Sequence, residues 1–365
     1  MKNFVSPQRF HILDIMRTLA AVVVAERHTG KLLGGGTLPG GYLAVDFFFV
    51  LSGFVIASAY EDRLTSGMST LRFMQIRVIR LYPLYVFSLG IGALAYCMNS
   101  RLLGTFDPSF FVLAVLAGLV FVPLPFRLSE GEPQMFAFNP PSWTLLFELF
   151  ANLCHGLFLK SMRTKHLLIT IAVSGILLVA AVVYFGSLDL GYKRSTFLTG
   201  FPRVIFSYAV GILIYRTNIW RASSLNLPII LAPLVLILIL SIPGEGNFRI
   251  IIDVVCATVV FPCLVIFSTN LANGQTLSPV LLRFGAASYA IYVIHFPLFR
   301  MLSASLALAG IKDIEPLVPY LGTAFLGAVV LMAIALDAYF DAPVRAALLR
   351  LLKRRTVPVA ISTAP

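Results

Sequence analysis

The first residues that could do chemistry lie on one apolar segment near the start of the chain, HILDIMRTLAAVVVAERHTG. Arg17 and His28 are eleven residues apart, and eleven helical steps turn through about 1100°, close to three full turns, with a rise of about 16.5 Å. Both side chains are therefore predicted on one stripe of one helix. An arginine can bind anions, and an imidazole can act as a general base near neutral pH. Alternatively, Arg17 only reaches one membrane interface and His28 only ends the helix at the other.

A second polar stripe lies in the segment SYAIYVIHFP near the end of the chain. Ser288, Tyr292 and His295 are spaced i, i+4 and i+7, which places them on one face of a helix. The direction of this segment, from the inner to the outer side, predicts that His295 lies in the outer half of the membrane. The three residues are candidates for substrate binding.

Two carboxylates also lie inside apolar segments, Asp46 in GYLAVDFFFVLSGF and Glu148 in SWTLLFELFANL. At 1.5 Å per residue, they lie about 7 Å and 9 Å below the outer end of their helices. We therefore expect His28, Asp46, Glu148 and His295 at a similar depth, either as a hydrogen-bonded packing network or as a catalytic cluster. Asp46 is the expected partner of His28, because their segments are joined by a short loop.

Arg77 and Arg80 lie three residues apart in LRFMQIRVIRLYPLY, on one face of an expected interfacial helix that ends where Pro83 starts the next span. Two guanidinium groups so placed suit phosphates. Alternatively, Arg77 and Arg80 only anchor the protein to anionic lipid, and the positive charge by itself favours this interpretation over phosphate binding.

The elements that must position these residues are membrane helices. Of 365 residues, 59% are hydrophobic and only 12% are charged, with a net charge of +12 and a mean hydropathy of +0.91. This composition excludes a soluble enzyme, and apolar runs of about 17 to 25 residues match about 30 Å of hydrocarbon. The four cysteines lie in apolar runs without metal-ligand spacing, so we expect no metal site.

The predicted fold is an all-α, polytopic helical bundle with about ten spans and one extra helix. The spans are predicted near 12–30, 41–60, 82–98, 142–160, 167–185, 200–216, 227–242, 250–268, 282–304 and 317–340. An eleventh run, about 109–123, is expected to be re-entrant or confined to the outer leaflet. With both termini cytoplasmic, seventeen of the 28 lysines and arginines lie on the inner side, as the positive-inside rule requires. We therefore expect a multi-pass protein of a bacterial inner membrane, with one transmembrane domain, 1–352, and a short basic cytoplasmic tail, 353–365.

In combination, these motifs resemble the membrane-bound acyltransferase family 3 of bacterial O-acyltransferases. The matching elements are Arg17 and His28 after Leu-Asp, the segment around Asp46, the Arg-x-x-Arg pair with Pro83, SWTLLFELF with Trp143 and Glu148, and SYAIYVIH. They are spread from residue 13 to 297 in the expected order. The sequence departs from the family pattern at Asp14-Ile15-Met16 and at Thr18, where a glycine is common.

The resemblance implies an integral-membrane enzyme that moves an acyl group, often acetyl from acetyl-CoA, to a hydroxyl of a sugar or a related acceptor. It assigns the donor to Arg17, Arg77 and Arg80 and the role of general base to His28. Asp46 and Glu148 are then expected to assist catalysis, and Trp143 to help bind the substrate.

The implied partners are an acyl-CoA, a carbohydrate or lipid-linked glycan acceptor and membrane lipid, with no permanently bound cofactor and no nucleic acid. Two other classes remain open on the sequence. A transporter or flippase for a polysaccharide precursor would explain the helices and buried charges, but such proteins tend to show paired broken spans. A structural subunit of a polysaccharide-assembly complex would leave the stripe of Arg17 and His28 without a role.

Overall fold

A computed structural model describes residues 10–36, 38–127, 132–221, 230–269, 278–311 and 313–354. Within these ranges the chain forms fourteen α-helices and no strand. They are α1 (His11–Thr29), α2 (Ala44–Thr65), α3 (Thr70–Leu102), α4 (Pro108–Leu119), α5 (Trp143–Leu157), α6 (Thr164–Phe185), α7 (Gly200–Thr217), α8 (Leu231–Leu240), α9 (Gly246–Val255), α10 (Phe261–Ser268), α11 (Pro279–Ala286), α12 (Ser288–Leu308), α13 (Tyr320–Leu336) and α14 (Ala342–Arg354). The predicted all-α class is confirmed. Nearly all of the predicted tail, 355–365, lies outside the described residues.

Seven helical stretches of the described chain are long and apolar enough to cross a membrane. They are Gly41–Thr65, Thr70–Leu102, Thr164–Phe185, Phe197–Thr217, Gly246–Ser268, Ser288–Leu308 and Tyr320–Lys353. The segments predicted near 12–30, 142–160 and 227–242 contain α1, α5 and α8, which are more charged or shorter. A helical protein with several candidate membrane spans is therefore confirmed, whereas the count of ten spans is not.

Two helices, α3 and α4, test the boundaries that the sequence predicted. Pro83 does not begin a new helix, because α3 runs through it without a break from Thr70 to Leu102. Membrane helices tolerate an internal proline, since neighbouring groups satisfy the freed carbonyl. α4 has 12 residues and a length of about 18 Å, too short for about 30 Å of hydrocarbon. This agrees with the expectation that the 109–123 run does not cross fully.

Local sequence signals explain several helix starts. The side chain of Asp107 accepts hydrogen bonds from the backbone N–H groups of Ser109 and Phe110, and Pro108 occupies the first position of α4. Ser69 and Ser278 cap α3 and α11 in the same way. Each cap satisfies N–H groups that lack a partner within their own helix.

α2 and α7 approach each other closely through two glycines. A Cβ atom on Gly53 would lie 2.1 Å from the carbonyl oxygen of Tyr208, and one on Gly211 would lie 2.2 Å from that of Val50. These neighbours are backbone atoms, which cannot move aside as the end of a flexible side chain can. The contact matters for the site, because α2 carries Asp46 and α7 carries Arg203.

α12 packs against both α1 and α3. Outside the helices, the segments around Gln134 and Tyr192 cover one end of the bundle. Their backbones are joined by a hydrogen bond from the Met135 N–H to the Tyr192 carbonyl and by a bridge between Gln134 and Lys193.

We predict that Gly53→Ala lowers the midpoint of thermal unfolding of the protein in lipid nanodiscs. Overpacking of this kind costs about 1–3 kcal/mol, which exceeds the gain of up to about 1 kcal/mol from replacing a helical glycine by alanine. Gly90→Ala is the matched control, because a Cβ there meets nothing within 4 Å. Equal midpoints for the two variants would contradict the close approach of α2 and α7.

Candidate active site

Hydrogen bonds join α1 and α12 at both ends of the predicted stripes. Arg17 Nε donates to Ser288 Oγ at 2.7 Å, and His28 Nδ1 lies 2.9 Å from His295 Nε2. The early residues of α1 thus contact the early residue of α12, and the later residues contact each other, so the two helices run in parallel. The sequence placed Arg17 and His28 on one helix and Ser288 and His295 on another, and the structure brings the two stripes together.

A cavity of about 390 Å³ lies at the Arg17 end of these helices. We call it the arginine cavity, since Arg17, Arg77 and Arg80 all line it. Asp14, Glu148, Ser288, Tyr289 and Tyr292 line it as well, together with apolar residues of α2 such as Phe48, Val55 and Ile56. The predicted meeting of Arg17 with the Arg-x-x-Arg pair is therefore present in the structure.

Each arginine of this cavity already contacts a carboxylate. Arg77 Nη2 lies 2.7 Å from Glu148 Oε1, and Arg17 Nη2 lies 3.0 Å from Asp14 Oδ1. Both guanidinium groups retain further N–H donors, since Arg has five. Arg77 Nε is buried without a hydrogen-bond partner.

Arg80 connects the arginine cavity to the C-terminal helices. Its Nη1 lies 3.4 Å from Asp341 Oδ2, and its guanidinium lies over the Tyr289 ring, 5.2 Å from the centroid. Asp341 is fully buried at the end of a π-helical turn, Asp337–Asp341, and also binds Arg345 at 2.8 Å. No role is predicted for Asp341 from the sequence, since it lies one residue beyond the predicted 317–340 span.

A second cavity, of about 410 Å³, lies at the His28 end, and we call it the histidine cavity. Its polar lining includes His28, Arg27, Gln134, Asp189 and Arg203, and its aromatic lining includes Tyr42, Trp143, Tyr192 and Phe296. Trp143, which the sequence analysis expects to help bind the substrate, therefore lines the histidine cavity.

The segment between α6 and α7 closes one side of the histidine cavity. Arg27 Nη2 binds Asp189 Oδ2 at 2.7 Å, and the Tyr192 hydroxyl donates to the same oxygen at 3.4 Å. Burial and the nearby Asp189 carboxylate raise the pKa of Tyr192, which keeps its phenol a neutral donor. Asp253 holds the same segment from α9, accepting from the Leu188 N–H at 2.7 Å.

Val45 and Tyr292 line both cavities and so lie between them. The Tyr292 hydroxyl is held 2.7 Å from Thr144 Oγ1 and donates to the Pro141 carbonyl at 3.2 Å. A group that passed from one cavity to the other would therefore pass these two side chains.

The expected pairing of Asp46 with His28 is wrong. Both carboxylate oxygens of Asp46 accept hydrogen bonds from Arg203, at 2.8 Å and 2.7 Å, and this pair is almost completely buried. Arg203 also donates to the carbonyls of Leu190 and Tyr42 and lies 5.5 Å from the Trp143 ring centroid. Arg203, rather than His28, is therefore the partner of the Asp46 carboxylate. Arg203 lies within the predicted 200–216 span, and a cation within a membrane span needs a partner such as a carboxylate.

Glu148 also differs from its expected place. It lines the arginine cavity and binds Arg77 and the Ser52 hydroxyl, so it does not join His28 as the predicted depth suggested. Ser288 likewise belongs to the arginine cavity. Of the four residues expected at one depth, the structure joins His28 and His295 by a hydrogen bond.

In the described part of the chain, no group of three His, Cys, Asp or Glu side chains could hold a metal ion.

Comparison with known proteins identifies a family for this chain. A family model described as an acyltransferase domain matches residues 10–338. The chain is 35% identical over 190 residues to "Protein 2 in picA locus" of Rhizobium radiobacter, covering 49% of this chain and 97% of that protein. It is 26% identical over 285 residues to "Acyltransferase MdmB" of Streptomyces mycarofaciens, covering 71% of this chain and 68% of that protein.

No solved structure matches the chain. The family model, however, covers both cavities and every residue that lines them. The chain therefore belongs to the acyltransferase 3 family and is a membrane acyltransferase for groups other than aminoacyl groups.

Proposed function

We propose that this protein moves an acyl group, acetyl in the simplest case, from cytoplasmic acyl-CoA to a sugar hydroxyl of a surface or exported polysaccharide or its lipid-linked precursor. One observation carries the proposal. A single helix, α1, lines both a cavity rich in arginine and a cavity that contains histidine, and Val45 and Tyr292 also line both cavities.

The arginine cavity suits the donor. A CoA nucleotide carries phosphates, which are costly to bury without cationic partners, and guanidinium groups bind phosphate through paired N–H donors. Arg17, Arg77 and Arg80 supply such donors around one space. The pantetheine arm is long, narrow and nearly uncharged, so it would extend past Val45 and Tyr292 toward His28.

The histidine cavity suits a carbohydrate acceptor. Aromatic side chains offer apolar faces to sugar rings, while Arg27, Gln134 and Asp189 offer hydrogen-bonding groups at the same wall. Trp143 and Tyr192 are the aromatic residues that we assign to this contact.

In the proposed reaction, His28 accepts the proton of the acceptor hydroxyl while its oxygen attacks the thioester carbonyl. The C–O bond forms, the C–S bond breaks, and the proton passes from His28 to the departing CoA thiolate. Transfer is direct, and no acyl-enzyme is required.

This function needs the two cavities to open on opposite sides of a membrane. We propose that ten segments cross a bacterial inner membrane with both termini in the cytoplasm, the shorter α1, α5 and α8 included. The arginine cavity would then face the cytoplasm, where acyl-CoA is found. The distribution of positive charge along the sequence supports this orientation.

The experiment that tests the function follows thiol release from acetyl-CoA by the purified protein in nanodiscs, with and without a glycan acceptor. We predict that His28→Ala lowers turnover by about 10²–10⁴-fold, the usual contribution of a general base. Donor binding and the unfolding midpoint should stay close to wild type. Wild-type turnover in this variant would exclude His28 as the base, and no acceptor-dependent thiol release from the intact protein would overturn the function.

A second prediction concerns the donor. Arg77→Ala and Arg80→Ala should each weaken acetyl-CoA binding and make the remaining affinity less dependent on salt, because fewer charges contact the phosphates. Isothermal titration at two salt concentrations measures both effects. Arg101→Ala is the matched control, since Arg101 lies at the other end of α3 and contacts Phe106. Unchanged affinity for acetyl-CoA in both test variants would show that Arg77 and Arg80 do not bind the donor and would favour their alternative role in anchoring the protein to anionic lipid.

A further inference from the structure

A chain of three groups leads from the backbone of α12 to the ring of His28. His295 is completely buried, and its Nδ1 lies 3.1 Å from the carbonyl oxygen of Ile291. A carbonyl can only accept, so His295 Nδ1 carries a proton and donates it there. On its other side, His295 Nε2 lies 2.9 Å from His28 Nδ1.

These contacts determine which ring nitrogens carry protons. A buried imidazole without a bonded carboxylate is neutral, because burying an unpaired charge is costly. Neutral His295 with a proton on Nδ1 has a lone pair on Nε2, which must accept a hydrogen bond from His28 Nδ1–H. His28 Nε2 is then the nitrogen with the free lone pair.

We propose that His295 is a positioning residue that fixes the tautomer and orientation of His28, so that Nε2 of His28 faces the acceptor hydroxyl as a base. This inference rests on the proposed function. It gives His295 a role beyond the substrate binding that its position on the Tyr292 stripe first indicated.

The same hydrogen bond stabilises the charge that forms during transfer. When His28 Nε2 takes the hydroxyl proton, the ring becomes an imidazolium whose Nδ1–H still donates to His295 Nε2. The proton then passes from Nε2 to the CoA thiolate, and both rings recover their initial protonation states. In serine hydrolases a carboxylate performs this task. Here the nearby carboxylates are bonded to other cations, Asp46 to Arg203 and Asp189 to Arg27.

The relative orientation of the rings supports a fixed geometry. The two imidazoles are nearly parallel, at 17°, with centroids 5.1 Å apart, and the Phe296 ring meets His28 edge-on at 5.5 Å. The Ile291 carbonyl holds the His295 ring in place. Rotation of His28 would therefore break the hydrogen bond from its Nδ1 and leave the buried His295 Nε2 without a donor.

Two substitutions at position 295 separate positioning from packing. His295→Gln can keep an acceptor oxygen near the place of Nε2, whereas His295→Leu fills similar space without one. We expect His295→Leu to lower kcat by about 10- to 10²-fold, less than loss of the base itself, with unchanged acetyl-CoA affinity. His295→Gln should recover most of the lost turnover.

His155→Leu is the matched control. His155 is also completely buried and bonded through Nδ1, to the Tyr208 hydroxyl at 3.0 Å, but it lies on α5 and lines neither cavity. It should lower the unfolding midpoint without a selective loss of kcat. In a double-mutant test, His295→Leu should have no further effect once His28 is alanine.

The outcomes distinguish this inference from the function on which it rests. Loss of turnover in His28→Ala with wild-type kcat in His295→Leu would overturn the positioning role alone. An equal loss of kcat in the Leu and Gln variants would also overturn it, because an acceptor would then not matter. Full turnover in His28→Ala would instead overturn the base assignment in the proposed function.

Discussion

The pairing of α1 with α12 is the constraint on which the site depends. Polar groups within an apolar bundle must find partners in the protein, since hydrocarbon offers none. Arg17 with Ser288 and His28 with His295 satisfy four such groups at once and hold two helices in register. The two contacts lie eleven residues apart on α1, about 16.5 Å along the helix, so the same pairing places Arg17 in one cavity and His28 in the other.

The same rule organises the rest of the bundle. Arg203 on α7 binds Asp46 on α2, Arg77 on α3 binds Glu148 on α5, and Arg216 on α7 binds Glu61 on α2. A buried ion pair is weak evidence for stability, but removal of one partner leaves an uncompensated charge. These pairs therefore specify which helices are neighbours, while close glycine contacts such as that of Gly53 specify how near they come.

Periodicity and composition predicted the all-α class and the stripes on α1 and α12, because both follow from helical geometry and burial alone. They could not predict which polar residues meet across helices. Depth along a helix placed Asp46 and Glu148 beside His28, yet depth says nothing of the direction a side chain takes around its axis. Each carboxylate instead faces an arginine on a different helix. Thr18 is a smaller case: where the family commonly has glycine, its hydroxyl donates to the Phe284 carbonyl at 2.9 Å and joins α1 to α11.

The carboxylates beside the arginines have a consequence for turnover. Asp14, Glu148 and Asp341 act as resident counter-ions for Arg17, Arg77 and Arg80, so the unloaded cavity holds no bare cluster of positive charge. In the proposed function, acyl-CoA would enter by anion exchange, displacing these carboxylates from part of each guanidinium. Their return would compete with the spent donor, which keeps all its phosphates after transfer. Internal counter-ions would in this way limit the affinity for product and speed its escape.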